Sequence, residues 1–212
     1  MEFVTHDHLD AERVFSEDEN LRNEWSELTA ALTAISEEDI IADFESNAGT
    51  AKSISQTIHR LVKRQLVVRG WHPETYIFAD ETYGMSAKGI WRLDFAKNHL
   101  CAEIAFDNRN DIARNLLKPS LACTPNRVPK AMQTDGGVVI TATRELMHAG
   151  GLNPAVGSYD EYVRYLLPLS HILATPLIIV GLLAPQSFRI KHKTVDNKKV
   201  AYVERVNPLL GH

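Results

Sequence analysis

The amino-acid sequence predicts an α/β fold in which helices flank a mixed central β-sheet. Three observations support this: helical periodicity fills the first third of the chain, two apolar β-branched runs of strand length follow at 137–141 and 177–183, and amphipathic segments lie among them. Apolar strands that alternate with helices are typical of a sheet covered on both faces. A short hairpin at 90–106 would make that sheet mixed, because its two arms run antiparallel.

A single domain is expected over residues 1–212. No internal repeat, low-complexity tract or Gly/Ser/Pro-rich linker divides the chain. Within the domain we distinguish a helical N-terminal part at about 14–67, an α/β core at about 75–185 and a C-terminal β-hairpin at about 187–206.

Three helices are predicted before the first strand. Ser16 and Glu19 have the spacing of a capping box, and the apolar residues that follow recur every three or four positions up to Ile35. Ser36 begins a second, short helix, and a third extends over about 53–66 with its basic residues outward.

Turn residues and changes in periodicity define the remaining elements. A tight turn at Asn98–His99 separates the two arms of the hairpin, 90–96 and 100–106. A glycine-rich loop is predicted at 149–157. The other predicted strands are 75–79, 137–141, 177–183, 188–193 and 200–206, the last two joined by a turn at 195–198. The other helices are one that begins at Ile112 and ends near Pro125, and one at 159–167.

The composition favours a cytoplasmic protein without a membrane partner. The longest apolar run, 175–185, is shorter than the roughly 20 residues that a membrane-spanning helix needs, and the acidic N-terminus lacks the basic and apolar regions of a signal peptide. Cys101 and Cys123 have neither metal-site spacing nor a disulfide framework, so we expect reduced thiols. His6 and His8 are interpreted as part of a flexible terminus rather than as a ligand pair.

The charge distribution leaves nucleic acid open as a partner. The formal net charge of −4 argues only weakly against it, because the local field in a cleft matters more than the sum. Basic residues are concentrated at 52–69 and at 189–199, whereas 1–47 is acidic. The alternative is that both basic stretches are solvated faces of a helix and a hairpin.

The chemistry-bearing residues lie in the predicted hairpin, WRLDFAKNHLCAEIAFDNR, at 91–109. Asp94 on one arm and Glu103 on the other stand in apolar runs, and an ionised carboxylate taken out of water costs several kcal/mol unless a cation or hydrogen bonds meet it. Across a short turn the two positions come opposite or nearly opposite each other. Their like charges then repel unless one is protonated or a cation lies between them.

A magnesium ion fits this pair. Mg²⁺ is typically held by one or two carboxylates, with water and substrate phosphate completing the shell, and it promotes phosphodiester hydrolysis. Lys97 adds a cation that can stabilise a developing oxyanion or position a water. The alternative is two structural acids, one paired with Arg92 or Lys97 and the other at a solvated strand edge. Dinucleotide-binding, Walker, zinc-protease and nucleophile-elbow motifs are all absent from the sequence.

The stretch LDFAKNHLCAEIAFDN resembles the active-site hairpin of type II restriction endonucleases of the BglII and BstYI kind, a branch of the PD-(D/E)XK nucleases. Those enzymes have Asp-Phe-x-Lys on one arm and Glu-Val-Gln-Phe on the facing strand, which is similar to 94–97 and 103–106 here. The similarity continues in order through the Trp-containing N-terminal helix, the basic helix ending in RGW, VVITATREL, GSY and TPLIIVGLLAP, over about residues 3–185.

The resemblance implies a restriction-endonuclease-like core and a Mg²⁺-dependent, sequence-specific double-stranded DNA endonuclease. Such enzymes act as symmetric homodimers on palindromic sites, often with a GATC centre, and each subunit cuts one strand. A cognate DNA methyltransferase protects the host DNA.

The resemblance also implies roles for particular residues. Asp94 and Glu103 match the metal-binding carboxylates, and we add Lys97 as a third catalytic candidate. The residue that reaches base edges in the major groove corresponds to Asn108, beside which Arg109 can contact guanine or a phosphate. The loop at 150–158 matches the segment that reads the outer base pairs in those enzymes, which makes Asn153 and Ser158 candidates for base contacts. The basic residues, among them Lys52 and Arg60, are candidates for phosphate contacts.

One position departs from the family. Relatives have Gln, and the wider superfamily Lys or Glu, two residues after the glutamate, where this chain has Ala105. A methyl group cannot orient a water or bind a metal. Three explanations are open: Lys97 or a residue from elsewhere has taken over the role, the chain is an inactivated variant, or it is a catalytically inactive DNA-binding protein on the same scaffold.

Overall fold

A central sheet with helices on both faces forms the body of the protein, as seen in a computed structural model that describes residues 1–83, 90–195 and 198–206. The strands are β1 (Phe3–His8), β2 (His72–Tyr76), β3 (Arg92–Ala96), β4 (Leu100–Ile104), β5 (Gly136–Ala142), β6 (Leu177–Leu182), β7 (Phe188–Val195) and β8 (Lys198–Arg205). The helices are α1 (Ala11–Glu17), α2 (Glu19–Thr33), α3 (Glu37–Ser46), α4 (Ser55–Val67), α5 (Ile112–Cys123), α6 (Arg144–Ala149) and α7 (Tyr159–Leu166), with a 3₁₀ turn at Arg109–Asp111.

The sheet is mixed, which confirms the predicted fold class. Its strand order is β1-β6-β5-β4-β3-β2. The three central strands β4, β5 and β6 run parallel, while β1 pairs antiparallel with β6 and the β2–β3–β4 end is antiparallel. Strands β7 and β8 form a separate two-stranded sheet; the centre of the turn predicted to join them, 196–197, lies outside the described residues.

Strand β4 has hydrophobic core on both of its sides. Leu100, Ala102 and Ile104 face the layer that includes α1 to α4 and belong to the largest hydrophobic cluster. Ala105, just past the strand, packs with residues of α5 and α7 on the opposite side. Because side chains alternate across a strand, Glu103 projects toward the α5 side with Ala105. None of the helices within the described ranges is both long enough and apolar enough to cross a bilayer.

The N-terminus differs from the prediction. Residues 3–8 form the edge strand β1, so the interpretation of His6 and His8 as part of a flexible terminus was wrong. His8 is buried, and its Nε2 lies 2.8 Å from the carbonyl oxygen of Leu173. The strand was missed because its partner, β6, is distant in the sequence and leaves no local signal.

The predicted capping box was also wrong. Ser16 lies inside α1, and the N-cap of α2 is Asp18, whose side chain accepts hydrogen bonds from the N–H groups of Asn20 and Leu21. Asp is as good an N-cap as Ser, and its negative charge also favours a helix N-terminus. The expected boundary therefore moved by two residues while the helix itself was predicted correctly.

A buried glutamate of α2 holds the β3–β4 turn. Glu24 is 5% exposed, and its Oε2 accepts hydrogen bonds from the backbone N–H groups of His99, at 3.0 Å, and Leu100, at 2.8 Å. The turn is further fixed from the β5 side, since the N–H groups of Asp135 and Gly136 donate to the carbonyl of His99. Three parts of the chain thus meet at the tip of this hairpin.

Replacing Glu24 with alanine should destabilise the protein. The buried N–H of Leu100 and the partly buried N–H of His99 would lose their acceptor, which costs about 1–3 kcal/mol of the free energy of unfolding. Urea unfolding followed by circular dichroism measures this cost. Asn23→Ala, at an exposed position of the same helix, should change stability much less, and equal effects of the two variants would contradict the anchoring role.

Candidate active site

The β3–β4 register brings Asp94 and Glu103 opposite each other. Phe95 pairs with Ala102 and Ala96 with Cys101, so the next positions along the two strands are 94 and 103. There the side chains replace the regular ladder: the N–H of Asp94 donates to Glu103 Oε1 at 3.2 Å, and the N–H of Ile104 donates to Asp94 Oδ2 at 2.8 Å. Each carboxylate is therefore oriented by the strand that carries the other.

The two carboxylates differ in their surroundings. Glu103 is 2% exposed, and Lys118 of α5 donates a hydrogen bond from Nζ to its Oε2 at 2.7 Å. Asp94 is more open, with 26% of its side chain exposed and Nε2 of His59, on α4, 3.9 Å from its Oδ1. The pair thus has one buried end against α5 and one accessible end beside α4.

This difference separates their pKa values. Burial and the adjacent charge of Asp94 raise the pKa of Glu103 to about 8, against the opposing effect of Lys118. Burial also pushes the pKa of Asp94 upward, but His59, the N–H of Ile104 and the charge of Lys118 outweigh it, so that this pKa lies below its usual value. Without a further cation, the negative charge of the pair resides mainly on Asp94.

The donor set suits a hard divalent cation. Two carboxylates held on neighbouring strands, with one of them accessible, match the one or two protein carboxylates with which Mg²⁺ is usually bound. Within the described ranges, His, Cys, Asp and Glu side chains form no group of three or more that could hold a metal ion. Other oxygen ligands, such as water and a substrate phosphate, would complete the coordination shell.

Lys97, the third catalytic candidate, is engaged elsewhere. Its Nζ donates to both carboxylate oxygens of Glu27 on α2, at 2.9 and 2.7 Å, and to the carbonyl of Arg69. It comes two residues after Phe95, on the face of the sheet that α1 to α4 cover, whereas Glu103 faces α5 on the opposite side. The predicted catalytic role of Lys97 therefore has no support from this arrangement.

Lys118 is the site residue that sequence reasoning missed. It occupies a helix whose neighbouring buried positions include Ile112, Asn115 and Leu116. The available signal was the spacing of Asn115 and Lys118, two polar residues three positions apart beside an apolar stripe, which places both near the inward side of the helix. Nothing local indicates that Glu103 is the partner.

Four of the predicted DNA contacts meet at one cleft. A cavity of about 780 Å³ is lined by Lys52, Arg109, Asn153 and Ser158. Its other basic lining residues, not predicted individually, are Arg144, His148, His192 and Lys199. A single carboxylate, Glu161, is among the lining residues, so the cleft is predominantly cationic.

The predicted base-reading residues differ in availability. Asn108 is exposed, and its side-chain oxygen accepts from the N–H of Asn110. Arg109 donates to the carbonyl of Pro154 at 2.5 Å, and its guanidinium lies 3.4 Å from Glu161. Both are therefore surface residues with weakly constrained or exchangeable contacts.

The two candidates from the loop at 150–158 differ in exposure. Asn153 is exposed, and its Oδ1 accepts from the N–H of Ala155. Ser158 is 2% exposed and caps α7 through a reciprocal arrangement with Glu161. A role for Ser158 in base contact would require this cap to open.

Arg60 lies apart from these residues. Within the described ranges its guanidinium bonds to Asp43 and to Thr57, and it is not among the residues that line the cleft. An arginine already paired with a carboxylate has less to offer a phosphate. Its predicted phosphate contact therefore remains without structural support.

Comparison with known proteins places this arrangement in context. A family model described as "Restriction endonuclease BglII/BglIII" matches residues 3–182. The chain is similar to the crystal structure of restriction endonuclease BglII complexed with a DNA 16-mer, with a TM-score of 0.64 and 16% identity over 97% of this chain and 90% of that one. It is also similar to the crystal structure of free BglII, with a TM-score of 0.52 and 15% identity over 97% and 93% of the two chains. A search of curated proteins gives no significant match.

The raised pKa of Glu103 predicts a pH-dependent stability of the metal-free protein. The folded state binds this proton more tightly than the unfolded chain, whose pKa is near 4.5, so the stabilisation is complete below that value and is lost as pH rises toward 8. The free energy of unfolding attributable to Glu103 should fall by at most about 1.4 kcal/mol per pH unit in this window.

Thermal unfolding in EDTA between pH 5 and 8 (roughly the span of the shift) measures this slope. Glu103→Gln should lack it, whereas Glu17→Gln, an exposed carboxylate of α1, should follow the wild type. Parallel slopes for Glu103→Gln and wild type would contradict the assignment.

Proposed function

The chain belongs to the restriction endonuclease BglII/BglIII family, and we propose that it is a type II restriction endonuclease that hydrolyses double-stranded DNA at a short palindromic site. The observation that carries this proposal is the Asp94–Glu103 pair, two carboxylates oriented across the β3–β4 hairpin with one buried and one accessible. The reaction is inferred from the family, and the carboxylate pair is the proposed site of that reaction.

We propose Mg²⁺ as the cofactor, held by Asp94 and Glu103. When bound, such an ion polarises the phosphoryl oxygen and lowers the pKa of water, which provides the nucleophile at neutral pH. The residues hold their carboxylates at fixed positions through the N–H groups of Asp94 and Ile104. A preorganised site of this kind requires little reorganisation when the substrate binds.

The cationic cleft is the proposed DNA surface. Lys52 and Arg109 would contact phosphates, which position the duplex without reading its sequence. Base edges would be contacted by Asn108 and Asn153, since an exposed amide can bond adenine at two points in the major groove. Ser158 and Arg60 remain proposed contacts that depend on breaking their present partnerships.

The assembly and the cellular setting belong to the same proposal. One active site per chain cuts one strand, so a palindromic site calls for a symmetric homodimer, because a two-fold protein matches a two-fold DNA sequence. We further propose a GATC-like core in the recognition sequence, a cognate DNA methyltransferase that protects the host DNA, and a cytoplasmic location.

A catalytically inactive DNA-binding protein on the same scaffold is the second candidate function, and Ala105 favours it. Its methyl group is 1% exposed and packs with Ile112, Leu116 and Tyr162. The position is therefore filled by core packing, and a longer polar side chain there would have to displace that core at a cost of about 1–3 kcal/mol. A protein of this kind would bind a specific duplex and leave it uncut with any divalent metal.

Cleavage of plasmid DNA separates the two functions. We expect discrete fragments with Mg²⁺ and none in EDTA, and both Asp94→Asn and Glu103→Gln should reduce the rate by about 100-fold or more. Glu17→Gln should cleave as the wild type does. Specific binding without cleavage in any divalent metal would favour the second candidate, and unchanged cleavage in both site variants would remove the site assignment.

Two further variants test how the DNA is contacted. Asn108→Ala should reduce discrimination against a one-base change in the site by about 1–3 kcal/mol. Lys52→Ala should instead weaken binding to all duplexes and reduce the slope of log Kobs against log salt by roughly 1. Filter binding at several salt concentrations, in Ca²⁺ to prevent cleavage, measures both quantities; a change of discrimination in Lys52→Ala would contradict the division of roles.

A further inference from the structure

A buried lysine enters the carboxylate pair from a helix outside the hairpin. Only 12% of the Lys118 side chain is exposed, and its Nζ lies 2.7 Å from Oε2 of Glu103. Holding a lysine in this environment costs solvation and rotamer entropy. Lys118 therefore does not belong to the solvated face of α5.

The helix that carries Lys118 is held unusually close to the sheet. Pro119, the next residue, packs on Gly137 of β5, where an added Cβ would lie 2.5 Å from the proline Cβ. Gly137 pairs with Cys101, which lies two residues before Glu103 on β4. The missing side chain at Gly137 thus lets α5 approach the part of the sheet that carries the active carboxylate.

Lys118 reaches the same side of β4 that a residue at position 105 would face. Glu103 and Ala105 are two positions apart, and Ala105 packs against Ile112 and Leu116 of α5. The residue two positions after the glutamate contributes only a methyl group to this side. The ammonium of Lys118 approaches this side from the helix instead of from the strand.

We propose that Lys118 supplies from α5 the polar function that Ala105 lacks: it is a positioning residue that fixes Glu103 and places a positive charge beside the site of phosphodiester hydrolysis. The proposal rests on the nuclease function proposed above and adds a residue to it. Lys118 holds one oxygen of Glu103 and the N–H of Asp94 holds the other, so the carboxylate is oriented from two sides. A fixed positive charge in a site of low polarity can also stabilise negative charge that develops on the phosphoryl group.

The competing explanation is that Lys118 is only a counter-ion for Glu103 in the metal-free protein. Metal binding would then displace it, and its removal would tighten metal binding without slowing the reaction. The two explanations differ in the cleavage rate at saturating Mg²⁺, where competition between the lysine and the metal no longer matters.

Lys118→Met tests the proposal, because methionine keeps most of the length and apolar volume of the side chain and removes the charge. We expect single-turnover cleavage at saturating Mg²⁺ to fall by about 100-fold, while duplex binding in Ca²⁺ stays within about twofold. Lys118→Arg should recover part of the rate, and an added primary amine such as ethylamine should recover part of the rate in Lys118→Ala. Arg114→Met, which removes an exposed cation from the same helix, is the matched control and should cleave as the wild type does.

Mn²⁺ binding to the DNA-free protein, measured by electron paramagnetic resonance, provides a readout independent of activity. Lys118→Met should retain the Mn²⁺ site and Glu103→Gln should lose it. Wild-type cleavage rates in Lys118→Met at saturating Mg²⁺ would overturn the positioning role, and tighter Mn²⁺ binding in the same variant would identify Lys118 as only a counter-ion. Either result leaves the nuclease function intact if wild type cuts and Glu103→Gln does not; an inactive wild type would instead remove the nuclease function and this inference with it.

Discussion

The removal of the Glu103 carboxylate from water is the constraint on which the arrangement of the core depends. A carboxylate at 2% exposure is stable only with compensating partners, and it has the Asp94 N–H on one side and the Lys118 ammonium on the other. Replacing such a group by a well-packed apolar residue is often neutral or stabilising. Its position inside an otherwise apolar strand therefore favours the proposed chemical role of Glu103 over a stabilising one.

The rest of the molecule holds the Glu103 side chain in place from both faces of the sheet. On the face covered by α1 to α4, Glu24 binds the turn between β3 and β4 and fixes the register in which positions 94 and 103 oppose each other. On the other face, the close contact of Pro119 with Gly137 brings α5 against β4 and β5. The hairpin is thus held at its tip by Glu24 and along its side by α5, and these contacts fix the relative position of the two carboxylates.

The parts of this site that sequence could predict are those fixed by local geometry. A tight turn and the two-residue period of strands are sufficient to place Asp94 opposite Glu103, and local periodicity was sufficient for α2 to α5 and for β5 and β6. The partners of Lys97 and Lys118 could not be predicted, because Glu27 lies 70 residues from Lys97 along the chain and the reach of Lys118 depends on how α5 packs. The capping of α7 by Ser158 was available locally, since Ser158 and Glu161 have the spacing of a capping box, and it competes with the base contact that the family resemblance suggested.

The pairing of β1 with β6 governs the order in which the sheet can assemble. Phe3 lies beside Leu182, so β1 is synthesised well before β6, the strand with which it pairs. Until β6 is synthesised, β1 has no hydrogen-bonding neighbour and the core beneath it stays open, because long-range strand pairing must await loop closure. Strand β1 therefore stays unpaired while the residues between it and β6 are synthesised, and this edge of the sheet closes only after both carboxylate-bearing strands have been made.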